Sequence, residues 1–143
     1  MQVDPGVFEY LRAVARNDHD ASERIEAKLD GSDGWGGFEE SLAMVFLLAL
    51  RRRFTAAPNR GQVMQFIAEM RSGSVVEPYD IDVAAAASLI RTAFDPSVPH
   101  QVQAEMAGRI QGLTIIYLLG PDRATEQELD DLLAEAAELV GGG

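Results

Sequence analysis

The chain has no cysteine. That excludes a disulfide framework, thiolate metal sites, iron–sulfur ligation and a cysteine nucleophile. It fits a reducing compartment, and a cytoplasmic protein is expected. Lysine is nearly missing too: of 12 basic residues only Lys28 is a lysine. With many alanines and glycines, this bias is the one expected of a GC-rich bacterial genome. Long apolar runs are also missing. The longest, Leu42–Leu50, is well short of the roughly 20 residues that span a bilayer, so no membrane partner is expected. The first residues lack a basic stretch followed by an apolar one, so no secretory signal is expected. No G-x-S-x-G elbow, phosphate-binding loop or G-x-G-x-x-G turn occurs.

What is present is an ordinary globular composition. The 143 residues are 47% hydrophobic and 24% charged, enough for one domain with a real core. The net charge is −11, which opposes the phosphate neutralisation that nucleic-acid binding needs. The charge is uneven. Residues 1–40 carry a net −6, residues 41–75 a net +4, residues 76–123 a net −3 and residues 124–143 a net −6. A cationic middle therefore lies between acidic ends.

The hydrophobic spacing is helical throughout. Asp4-Pro5 predicts a helix start, a capping carboxylate followed by the residue best suited to the first helical position. Val7, Phe8, Leu11, Val14 and Ala15 follow on one face, and Asn17–Asp20 predicts the break. A second helix is expected from about Ala21 to Leu29, with Asp20 and Glu23 as a capping box. Asp30–Gly37 holds four glycines and predicts a loop anchored by Trp35. A third helix is expected from Phe38 to about Thr55. Its Leu42–Leu50 run is apolar on all sides, which predicts enclosure on all sides. After Ala57-Pro58, Asn59 predicts the cap of a fourth helix that ends near Ser72-Gly73. Ser74–Tyr79 reads as a short extended piece, and Asp80 or Asp82 as the cap of a fifth helix reaching Phe94. A sixth is expected from about Pro99 to Leu119, with a nearly wholly apolar second half. Thr125-Glu-Gln-Glu128 is a capping box that opens a last helix with an acidic outer face. The reading is all-α: a compact bundle of about six to seven helices, with buried central helices near 38–55 and 99–119. Residues 1–140 form a single domain, and 141–143 a flexible glycine tail.

The site candidates are few. His19 and Glu23 lie four apart within Asp18-His19-Asp20, a spacing that puts both on one helix face. Acids at a helix start serve capping equally well. Asp30, Ser32 and Gly34 begin a calcium-loop spacing, but the positions that demand glycine and glutamate hold Trp35 and Ser41. No metal and no cofactor are expected, and no catalytic residue is assigned. The remaining candidate is the arginine group Arg51, Arg52, Arg53 and Arg60. It reads as an anion- or partner-binding turn, or as a set of ion pairs with the acidic terminal segments.

The leading functional expectation is a non-enzymatic protein–protein interaction module, a small regulatory or adaptor protein that associates with another protein or with itself as a homo-oligomer. One alternative is a DNA-binding regulator using a helix-turn-helix-like segment around Pro58, with Asn59, Arg60 and Gln62 at the start of the recognition helix. Another is a small-molecule binder with a pocket between the third and sixth helices, furnished by Thr114, Tyr117 and Arg51–Arg53.

Overall fold

Five of the described helices begin where a short side chain takes up a free amide of the first turn; the two that follow Gly37 and Gln103 have no such side-chain cap. A computed structural model describes residues 3–32, 34–73 and 81–142. Among them are seven helices: α1 (Pro5–Ala15), α2 (His19–Ser32), α3 (Phe38–Arg53), α4 (Arg60–Gly73), α5 (Val83–Phe94), α6 (Ala104–Leu119) and α7 (Glu126–Gly142). Asp4 caps α1 by accepting from the Gly6 amide at 2.8 Å, and Asp82 caps α5 by accepting from Ala85 at 3.1 Å. At α7 the Glu128 amide donates to Thr125 Oγ1 at 3.1 Å while the Thr125 amide donates to Glu128 Oε1 at 2.9 Å. Asn59 and Gln62 make the same reciprocal pair at the start of α4, at 2.8 and 2.9 Å. Asn59 alone was expected there.

Several boundaries differ from the sequence expectation: α2 runs on to Ser32, past Leu29 and into the expected loop, and α3 ends at Arg53 rather than near Thr55. At α2 the cap is Asp18, which accepts from the Ala21 amide at 3.1 Å, so the helix starts at His19 rather than Ala21 and Asp20 lies inside its first turn. Asn17, the first residue of the expected break, makes the turn at φ 56°. At α6, Pro99–Gln103 is not helical. Gln103 is the N-cap, and α6 starts at Ala104. The proline and the histidine after it belong to the connector, whose Val98 carbonyl accepts from the Thr92 hydroxyl at 2.8 Å. The extended piece expected at 74–79 lies outside the described residues. α7 continues through Gly141 and Gly142.

α6 is the centre. It packs on α3, α1, α5 and α4, and Ile110, Leu113, Ile115, Leu118 and Leu119 are buried in one continuous core with Leu50, Phe66, Ile90 and Leu129. Thr114 is buried among them, its hydroxyl satisfied by the Ile110 carbonyl one turn back at 2.7 Å. α3 packs mainly on α6 and α7 and more lightly on α1 and α5, but only its inner face is enclosed. Leu42, Val45, Phe46, Ala49 and Leu50 are buried, whereas Ala43 is exposed and Met44, Leu47 and Leu48 are half-buried. Enclosure on all sides, expected from the apolar run, does not hold for α3, because no described helix covers that side.

The glycine-rich loop folds back onto α1. Trp35 stacks edge-on between Tyr10 of α1 and Phe38 of α3, at 5.2 and 5.1 Å between ring centres, and its indole N–H donates to Asp30 at 2.6 Å. The loop favours glycine at position 37, which precedes α3 at φ 80°, while a Cβ on Gly34 would approach the end of the Leu29 side chain at 2.8 Å.

Candidate functional site

Three successive helical residues point about 100° apart, so Arg51, Arg52 and Arg53 cannot converge on one ligand. The structure sends them in different directions. Arg52 reaches α7, donating to Glu128 at 2.8 Å and to the Arg123 carbonyl at 3.3 Å. Arg53 reaches α4, pairing with Glu69 at 3.0 Å and lying over the rings of Phe54 and Phe66 at 5.4 and 5.9 Å. Arg60 is exposed at the first position of α4, and Arg51 is exposed on the outer side of α3. Neither makes an ion pair among the described residues. Two of the four sequence candidates are thus tied to separate neighbours, and the other two stand apart.

Beside Arg53 the chain turns through residues 54–59. A cleft of about 430 Å³ opens there, lined by Phe54, Thr55, Gln62, Gln65 and Phe66. Its one cation already has Glu69, and the Gln62 amide of the first turn of α4 is taken by Asn59. The turn is also longer than the roughly three to four residues that join the helices of a helix-turn-helix. Tyr117 faces Arg123, whose guanidinium lies 4.5 Å over the ring and donates to the phenol oxygen at 3.0 Å. His19 is exposed at the start of α2, and among the described residues no group of three or more His, Asp or Glu is gathered closely enough for a metal.

A different surface has the shape of a binding site. α1 and α7 pack side by side, and between them runs a second cleft of about 430 Å³ lined by Val3, Pro5, Phe8, Leu133, Ala134, Ala137 and Gly141. Arg12 closes one end, donating to Asp130 at 2.8 Å and lying 3.9 Å from Glu126. The hydrogen bond to Asp130 holds the Arg12 guanidinium firmly protonated, against the opposing effect of partial burial. Alanines at 134 and 137 keep the floor of the cleft low. Glu9 follows the lining residue Phe8 in α1, Asp131 lies one turn before Ala134 and Glu138 follows Ala137 in α7; all three are exposed, and α7 carries no basic residue. The cleft is apolar inside and acidic at its rim.

No protein-family model, curated protein or solved structure matches this chain.

The sequence reading missed the α1–α7 cleft because its residues look like ordinary core positions. Phe8 and Leu133 sit on the apolar faces of their helices, as the spacing predicts. The available signal was the small pair Ala134 and Ala137, on the flank of an otherwise leucine-rich face.

Proposed function

We propose that this chain is a non-enzymatic protein–protein interaction module, an adaptor whose docking site is the cleft between α1 and α7. The observation that carries the reading is the union of an apolar floor with an acidic rim on two rigid helices. An amphipathic helix from a partner protein fits such a surface. Its apolar side chains would seat against Phe8, Leu133 and Ala137, and its arginines or lysines would face Glu9, Asp131 and Glu138. The acidic rim steers a basic partner and rejects an acidic one. Two arginines of the cationic turn are engaged within the chain by Glu128 and Glu69, which favours this reading over DNA binding.

The test is fluorescence anisotropy with a labelled amphipathic peptide carrying leucines at helical spacing and flanking lysines. Expected is saturable binding that weakens with salt and drops at least tenfold in Ala134→Arg, a substitution at an exposed position. Absence of binding at hundreds of micromolar protein, or binding that Ala134→Arg leaves intact, overturns the reading. Duplex DNA binding at low salt that Arg60→Ala weakens would replace it with the nucleic-acid alternative.

A further inference from the structure

The outer side of α3 carries a second surface, independent of the α1–α7 cleft. Glu40, Ala43, Met44, Leu47 and Arg51 recur at intervals of three and four and so share one face of the helix. Ala43 is exposed, Met44 and Leu47 are half-buried, and the charged residues at both ends are exposed. Leu47 is not packed against the core, unlike Met44 and Leu48 beside it. Neither Glu40 nor Arg51 makes an ion pair among the described residues. On α7, Leu139 is 49% exposed, three turns beyond Glu128 and in helical register with it.

The stripe is complementary to itself. Its acid and its base sit at opposite ends, eleven residues and about 16 Å apart at 1.5 Å per residue. Turned end for end by a two-fold axis, the stripe presents its base to the other copy's acid. The register that sets Met44 against Leu47 also sets Ala43 against Leu48 and Glu40 against Arg51. Apolar contact and charge contact are thus satisfied together, and Ala43 lets the backbones approach closely. A helix apolar on every side is one that expects cover on every side, and within one chain this side has none among the described residues.

We infer that the occupant of this stripe is a second copy of the chain, paired through antiparallel α3 helices with Glu40 of each copy facing Arg51 of the other. A closed two-fold contact of this kind uses the same patch on both subunits and stops at the dimer. None of the residues lining the α1–α7 cleft belongs to α3, so the pair would carry two such clefts and act as a bivalent adaptor.

The experiment is analytical ultracentrifugation of the full chain across a concentration series. The wild type is expected to dimerise at micromolar concentrations. Leu47→Arg should weaken the dimer at least a hundredfold with unchanged helical circular dichroism. Ala43→Glu, at a fully exposed position, provides the same test if Leu47→Arg disturbs folding. Glu40→Arg alone and Arg51→Glu alone should each weaken the dimer about tenfold or more, and the double exchange should recover it to within a few-fold. A strict monomer at hundreds of micromolar overturns the inference. So does a dimer indifferent to both Leu47→Arg and Ala43→Glu, or a double exchange that recovers nothing. Peptide binding by the monomeric Leu47→Arg protein reports on the cleft separately, so either reading can fail without the other.

Discussion

α3 and α6 each carry a long apolar run, Leu42–Leu50 and Leu113–Leu119, yet the fold treats the two runs differently. α6 packs on α3, α1, α5 and α4, and its second half has no exposed residue, with Leu113, Thr114, Ile115, Leu118 and Leu119 buried and Ile116 and Tyr117 half-buried. α3 also touches four helices, α6 and α7 most closely and α1 and α5 less, but all on its inner side, and it leaves Ala43 exposed and Met44 and Leu47 half-buried. Composition is the same in kind, and neighbours make the difference. The comparison teaches that an apolar run signals a need for cover without saying which molecule provides it. In α6 the cover is the chain itself, and in α3 the open side is where we place a second chain.

Truncating the enclosed side chains is the strongest way to break this comparison. Leu50→Ala on the inner face of α3 and Ile115→Ala in α6 should each cost about 2–5 kcal/mol in urea unfolding, because both are fully buried. Leu47→Ala, on the open face, should cost about 1 kcal/mol or less when measured at concentrations below dimer formation. Equal losses at Leu47 and Leu50 would mean that α3 has no open side in the single chain.

A smaller effect is expected where α7 closes one flank of α3. Thr125→Ala removes the hydroxyl that accepts from the Glu128 amide, and should cost about 1 kcal/mol. Arg52→Ala releases the Glu128 carboxylate from the end of α3 and should cost less than the cap, since both groups are partly exposed. Hydrogen exchange in the first turn of α7 would read both changes. Protection unaltered in Thr125→Ala would show that packing alone seats α7.

The smallest effect is acid sensitivity at the same junction. The Thr125 amide, then the Thr125 hydroxyl and then Arg52 hold the Glu128 carboxyl below the ordinary glutamate range. Its folded value is lower than its unfolded one, so its contribution is complete above about pH 4.3, the ordinary glutamate value, and fades as pH falls through the lowered folded value. An NMR titration should place the Glu128 midpoint below about 4.3. A midpoint at or above that value would mean the box and the Arg52 pair do not persist in solution.

Much of the fold was legible because the decisive signals are local. The caps at Asp4, Asn59, Asp82 and Thr125 act within one helical turn, and a reader of the sequence sees both partners at once. The start of α2 was misplaced by a choice between Asp18 and Asp20, two acids equally able to cap. The start of α6 was misplaced because Pro99 offered a plausible first turn, while the connector instead turns its Val98 carbonyl toward Thr92 on α5.

The arginine group shows where local reading stops. Charge, number and spacing of Arg51, Arg52, Arg53 and Arg60 are all in the sequence, but their partners are not. Glu128 lies 76 residues from Arg52 and Glu69 lies 16 from Arg53, and only packing brings them within reach. The α1–α7 cleft is hidden for the same reason, since it joins the two ends of the chain.

By itself the sequence determined that this protein is helical, where most of its helices begin, and that its charge is acidic at the ends and cationic in the middle. Periodicity, capping and composition act over a few residues, so they survive without a structure. The tertiary arrangement decided which arginines are engaged, that an apolar cleft with an acidic rim forms between α1 and α7, and that α3 keeps one side open. Those outcomes depend on which distant surfaces meet, and burial is a property of neighbours rather than of any residue alone.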